Sequence, residues 1–352
     1  MSRPGQNDTI PFANRTSRGD GPGDTNYVGN ITLILFPELC TIETCDLTLA
    51  NFMYLPTIPG NAIFAGLFGL FIIVQLFLGI KHKTWGFMTA LCMGLVLECV
   101  GYIARVLMHD DPFNGDWFLM SLVVLTIAPA FITAGVYLCL ARIISVYGEH
   151  LSRFKPRTYT IVFVTCDFIC LVLQGLGGGI AASADTKKSS DLGKNIMMAG
   201  LIFQVVSLAL FGICCGEFAL RVLRGRGSRN ERYTAITSSL LFKGFLVALF
   251  VACITILIRS LYRCVELSGG FNSDLFTGDE ALFMVLEGVM IVLATGGLSV
   301  FHPAVAFQGV WHELNFNFRT KKSHKAVSMT DEESPMTNVE LSKMPLNNGS
   351  RV

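Results

Sequence analysis

Seven stretches of the chain are almost unbroken in apolar residues: about 61–80, 86–108, 117–144, 158–182, 195–220, 239–265 and 281–305. Crossing the hydrocarbon of a bilayer takes roughly 20 such residues in a helix, because irregular backbone in lipid leaves N–H and C=O groups unpaired. Charge or turn residues punctuate the stretches, for example Lys81-His82-Lys83, Asp110-Asp111-Pro112, Lys155-Pro156-Arg157 and Gly225-Arg226-Gly227. The pattern predicts an all-α polytopic membrane protein, a seven-transmembrane-helix bundle over residues 61–308, with polar tails at 1–60 and 309–352.

Composition agrees with that reading. Of 352 residues, 52% are hydrophobic and 15% charged, against roughly 25% charged in soluble domains. The net charge of +1 creates no global field that selects nucleic acid, so the placement of the charges matters more than their sum. Eleven basic residues fall in the loops on one side: Lys81, Lys83, Arg142, Arg153, Lys155, Arg157, Arg221, Arg224, Arg226, Arg229 and Arg232. Only Lys187, Lys188 and Lys194 fall on the other, which places the amino terminus outside and the carboxyl terminus inside.

The tails carry further signals. The first sixty residues lack an apolar core with a cleavage site, so the first helix is expected to act as its own insertion signal. Asn7, Asn14 and Asn30 each begin an Asn-x-Thr glycosylation sequon, usable on the outer side. Cys40 and Cys45 are spaced to close a small disulfide loop there, while the nine other cysteines lie in predicted helices and read as small buried apolar residues. After residue 309, Trp311, Phe316 and Phe318 suit an interfacial stretch, followed by Arg319, Lys321, Lys322 and Lys325 beside anionic lipid. The remainder reads as disordered, with Ser328 and Thr330 beside Asp331-Glu332-Glu333 as candidate phosphorylation sites.

Ionisable groups inside a membrane cost at least about 2.5–3.5 kcal/mol each at mid-helix, so they are the informative residues. Glu98, Gly101, Tyr102 and Arg105 share one face of the second segment. Arg259, Tyr262, Arg263 and Glu266 repeat that spacing in the sixth with the charge order reversed, and the seventh adds Glu287, with Glu280 at its outer end. All of these fall in the outer half of the predicted bundle. Two readings fit them: interhelical ion pairs that hold the bundle, or a polar pocket whose pairs rearrange around a ligand. Nearer mid-membrane lie Asp167, Gln174 and Gln204, with Tyr137 toward the inner side, and Gln174 leads into the glycine run Gly175, Gly177, Gly178 and Gly179. Those glycines serve close helix packing or leave backbone open to a ligand. Pro129, Gly296-Gly297 and His302-Pro303 likewise either kink their helices for packing or shape a cavity wall.

Several chemistries have no support. The sequence holds no G-x-x-x-x-G-K-S/T phosphate loop, no lysine in the seventh segment for a retinal Schiff base, and no nucleophile-elbow or zinc-protease motif. Its six histidines show no paired ligand spacing, so neither a metal nor another cofactor is expected. The seventh segment ends in His302-Pro303 rather than the Asn-Pro-x-x-Tyr of many G-protein-coupled receptors.

Taken in order, Tyr54-x-Pro56 with Asn61, Glu98-x-x-Gly101-Tyr102-x-x-Arg105, and Pro129 with Ala134 and Tyr137 form a family pattern, continued by Asp167 and Gln174-x-x-Gly177-Gly178. Gly200 with Gln204, Arg259-x-x-Tyr262-Arg263-x-x-Glu266 and His302-Pro303 complete it. The set resembles the fungal RTA-like family of seven-helix proteins, described as lipid-translocating exporters and linked to resistance to toxic lipophilic compounds. The resemblance implies a plasma-membrane protein that handles sphingoid long-chain bases, porphyrins or lipophilic drugs. One departure stands out: Glu280 is followed by Ala-Leu-Phe rather than by several aromatics, and Glu287 stands where the family usually has Asp. The expected function is translocation of amphipathic lipids, with membrane lipids and an amphipathic or drug-like ligand as partners and no catalysis. The alternative is a seven-helix lipid-sensing receptor that signals through its cytoplasmic loops and tail. The candidate ligand residues are Glu98, Tyr102, Arg105, Asp167, Gln174, Gln204, Arg259, Tyr262, Arg263, Glu266 and Glu287.

Overall fold

The computed structural model describes residues 55–148, 151–184, 186–225, 233–268 and 280–312. The three sequons, Cys40, Cys45, Tyr54, Ser328 and Thr330 lie outside the described residues, as does most of both tails. Seven helices are long and apolar enough to cross a membrane: α1 (Ile58–Lys81), α2 (Trp85–Asp110), α3 (Gly115–Tyr147), α4 (Pro156–Ala182), α5 (Lys187–Arg224), α6 (Leu240–Ser268) and α7 (Glu280–Ala306). The expected seven-helix bundle is therefore the fold, and the chain is a multi-pass membrane protein.

The outside of the bundle is the apolar part. Phe77, Phe168, Ile213 and Phe250 are each more than 60% exposed, whereas Glu98, Gln75, Gln174, Arg259 and Glu287 are fully buried. This inversion is stable only if hydrocarbon, not water, covers the surface. Neighbouring helices pack in chain order, and α7 closes the ring onto α1 and α6. The central element is α3, which touches α2, α4, α5 and α6. Two thirds of its most apolar window is buried, against 22% for α1.

Local chemistry explains the turns. α1 ends where Lys83 adopts a left-handed φ of 55° and the Thr84 N–H donates back to the Gly79 carbonyl at 2.9 Å. Gly148, at φ 122°, terminates α3 in a conformation that a side chain would strain. Pro156 opens α4 in the first turn, where its missing N–H costs nothing.

Several boundaries differ from the sequence reading. α5 has 38 residues, roughly 57 Å at 1.5 Å per residue, well beyond the ~30 Å hydrocarbon. Lys187, Lys188 and Lys194 therefore belong to its opening turns rather than to a loop. Arg142, counted above with loop charges, is buried in the last turns of α3, donates to the Leu138 carbonyl at 3.0 Å, and lies 3.8 Å from the Trp311 ring centre. Trp311, expected at the interface, is accordingly buried, packed edge-on against Phe87 and Phe307. The apolar indole gains more by covering this cation than by facing head groups.

The glycine run of α4 divides by position. A methyl at Gly177 would meet backbone of α5 at 2.5 Å, and one at Gly193 would meet backbone of α4 at 2.5 Å, so this pair sets the α4–α5 approach. Gly178 faces Val123 of α3, while Gly175 and Gly179 have no atom within 4 Å. Close packing is thus the structural role at Gly177 and Gly178. Gly177→Leu or Gly193→Leu should cost about 1–3 kcal/mol through overpacking, whereas Gly175→Leu and Gly179→Leu should stay within about 0.5 kcal/mol. Thermal unfolding of the purified variants in detergent checks this, and equal midpoints for all four would contradict it.

Candidate functional site

Two separate centres gather the buried charged residues of the described chain other than Arg142. The first joins α2, α3, α6 and α7 in the half of the bundle that carries the start of α1 and the α2–α3 turn. Helical spacing brings Glu98, Tyr102 and Arg105 to the inner face of α2, and Arg259, Arg263 and Glu266 to that of α6. Glu287 lies on a π-helical turn, Met284–Val289, that widens the backbone of α7.

Arg259 binds across three helices. Its Nη1 donates to Glu98 Oε1 of α2, while its Nη2 donates to Glu287 Oε1 of α7 at 2.9 Å and to the Leu125 carbonyl of α3 at 2.8 Å. Its Nε reaches the same Glu287 oxygen at 3.3 Å. The Leu125 carbonyl is available because Pro129, four residues on, has no N–H to give it. The proline therefore does not break α3. It exposes an acceptor inside the bundle, and a guanidinium from α6 takes it.

Arg263, one turn along α6, donates to Glu266 Oε2 at 2.7 Å and approaches Glu287 Oε1 at 3.3 Å. It also reaches the Leu122 carbonyl and the Thr126 hydroxyl of α3, each at 3.3 Å. Arg105 also reaches α1 and α7: its Nε donates to Asn61 Oδ1 at 3.2 Å and its guanidinium lies 3.9 Å from the Phe283 ring centre. Glu280 accepts from the Thr57 N–H at 2.7 Å and from Asn61 Nδ2 at 3.3 Å, so it ties the start of α7 to the start of α1. Tyr262 is buried beside the arginines. Tyr102 packs against Phe64 and Phe68, and the absence of a side chain at Gly288 makes room for its hydroxyl. Among the described residues Glu98 Oε2, Glu287 Oε2 and the Tyr102 hydroxyl find no hydrogen-bond partner here.

The second centre lies among α3, α4 and α5. Asp167 and Gln174, two turns apart, share the buried face of α4. The Thr133 hydroxyl of α3 donates to Asp167 Oδ2 at 2.8 Å, and Gln174 Nε2 donates to Gln204 Oε1 of α5 at 2.8 Å. Asp167 Oδ1, Gln174 Oε1, Gln204 Nε2 and Ser207 Oγ are buried and lack hydrogen-bond partners among the described residues, and the Tyr137 hydroxyl lies beside Asp167. Among the described residues no Lys, Arg or His forms an ion pair with Asp167, and no group of three metal-ligating side chains occurs.

The sequence thus identified both sets of charged and amide side chains but missed their partners. Leu125, Thr126, Thr133, Ser207 and Phe283 contribute to the centres, and only two of them left a legible signal. Pro129 marks the freed Leu125 carbonyl, and Thr133 sits one turn before Tyr137.

Arg259→Met should destabilise the fold by about 3–5 kcal/mol, because Glu98 and Glu287 lose a buried partner. Pro129→Ala restores an N–H to the Leu125 carbonyl, so it should recover about 1 kcal/mol in the Arg259→Met background and nothing in the native one. Thermal midpoints of the four proteins measure this coupling, and strictly additive effects would contradict the shared carbonyl.

Comparison with known proteins supplies a context for these centres. The family model described as RTA1 like protein matches residues 91–310. The sphingoid long-chain base transporter RSB1 of Saccharomyces cerevisiae is 31% identical over 313 residues, 81% of this chain and 81% of its own length. Protoporphyrin uptake protein 1 of the same yeast is 30% identical over 59% of this chain and 65% of its own. Protein RTM1, also from that yeast, is 29% identical over 60% and 66%. No solved structure matches. The matched region takes in both polar centres and six of the seven spans, and on that ground the chain belongs to the RTA1-like family.

Proposed function

We infer that the protein moves amphipathic lipids of the long-chain-base kind across a membrane and that it is a carrier rather than an enzyme. The observation that carries this reading is the set of buried polar atoms without partners inside a bundle whose exterior is apolar. Unmatched donors and acceptors away from water cost about 1–3 kcal/mol each. A ligand whose head group satisfies them, while its chain stays in hydrocarbon, recovers that free energy. The relative named as a sphingoid long-chain base transporter, aligned over most of both chains, supports the same substrate class.

The positive-inside pattern supports an outside amino terminus, a glycosylated outer tail and a cytoplasmic carboxyl-terminal tail. The family resemblance implies the plasma membrane as its residence. Glu98 and Glu287, held by Arg259 of α6, tie α2 and α7 to it while a head group passes.

Reconstituting the purified chain into phosphatidylcholine liposomes with a fluorescent long-chain base tests this directly. Protein-dependent appearance of the base in the opposite leaflet is expected, and a rate equal to that of protein-free vesicles would sink the transport reading.

A further inference from the structure

The two centres differ in charge balance, and the difference points to one of them as the place where a ligand binds. In the first, Glu98, Glu266 and Glu287 each accept from an arginine. An incoming cation there would have to compete with guanidiniums that are already in place. In the second, the Asp167 carboxylate is 3% exposed and faces only neutral hydroxyls, that of Thr133, which donates to it, and that of Tyr137. A buried carboxylate is ordinarily matched by a cation, and among the described residues the chain supplies none.

The surroundings of Asp167 are arranged for a cation with hydroxyls beside it. The Tyr137 hydroxyl, 1% exposed, lies beside the carboxylate. Tyr137, Phe163 and Phe211 form an aromatic cluster with ring centres 4.5–5.6 Å apart, and ring faces attract ammonium groups. Toward the other end, whichever amide of the Gln174–Gln204 pair donates, the pair leaves one carbonyl oxygen and one NH2 unmatched. Ser207, one turn from Gln204, adds a free hydroxyl. Asp167 and Gln174 are seven residues apart on one helix, roughly 10 Å at 1.5 Å per residue. That span suits a head group of several heavy atoms. On the neighbouring face of α5, Phe203, Val206 and Leu210 are exposed to the surrounding hydrocarbon, so a chain attached to such a head group has an apolar surface to follow.

We propose that the Asp167 centre binds a primary ammonium head group bearing neighbouring hydroxyls, with the ammonium on Asp167 and Tyr137 and the hydroxyls on Gln174, Gln204 and Ser207. The inference rests on the transport reading for its substrate class, yet it concerns binding and is tested apart from movement.

The full chain in phosphatidylcholine nanodiscs is titrated with dihydrosphingosine, its N-acetyl amide and octadecylamine. The native protein should bind the amine about tenfold or more tighter than the amide, because only the amine carries the charge that Asp167 lacks. Asp167→Asn should abolish that preference, and Gln204→Leu should weaken dihydrosphingosine more than octadecylamine. Equal affinity of the native protein for amine and amide, or a preference that survives in Asp167→Asn, would overturn the proposal. If Asp167→Asn yields no folded protein, Gln204→Leu carries the test, and undiminished discrimination between the two amines overturns it. Asp167-dependent binding without movement in liposomes would refute transport alone, and movement with Asp167-independent binding would refute this site alone.

Discussion

The bundle depends on finding partners for one guanidinium. Arg259 is fully buried on α6, and its donors are taken by Glu98 on α2, Glu287 on α7 and the Leu125 carbonyl on α3. Each contact constrains a different helix, so the side chain acts as a four-helix junction. Two backbone irregularities exist in relation to it. Pro129 leaves the Leu125 carbonyl open for Arg259, and the π-helical turn of α7 carries Glu287 at its centre. A regular helix at either place would remove an acceptor or turn it away. Arg263 repeats the arrangement one turn along α6 with Glu266, Leu122 and Thr126.

Such a junction, with its carboxylates already paired to arginines, is a scaffold rather than a place where a charged ligand exchanges easily. The contrast with Asp167 follows from counting partners. Three carboxylates with arginines lie on one side of α3, and on the other lies one carboxylate with a threonine beside a line of unmatched amide and hydroxyl groups. α3 contacts both sets and so stands between the scaffold and the proposed head-group site. The Gly177–Gly193 contact then holds α4 and α5 close enough for Gln174 and Gln204 to meet.

Much of this was legible in the sequence, for a physical reason. Hydrocarbon imposes a length of roughly 20 apolar residues on every span and makes each charge within a span conspicuous. The seven spans and the residues Glu98, Arg259, Arg263, Glu266, Glu287, Asp167, Gln174 and Gln204 follow from that alone. Pairing did not follow, because helical periodicity says which residues share a face and not which helix that face meets. Arg105 has the same face as Glu98 in the sequence, yet it turns to Asn61 and Phe283 because α1 and α7 converge there. Trp311 resembled an interfacial anchor until α3 brought Arg142 beneath it. The π-helical turn left only a weak sequence signal, a single glycine at 288 with no proline.

A photoactivatable long-chain amine with a diazirine next to its head group distinguishes the two centres most directly. After irradiation with the purified protein, peptides are mapped by mass spectrometry. Labelling competed by dihydrosphingosine is predicted on the α3, α4 and α5 residues around Asp167, namely Tyr137, Phe163 and Phe211. Competed labelling confined to α1, α2 and α7 around Tyr102 would contradict the division between scaffold and site.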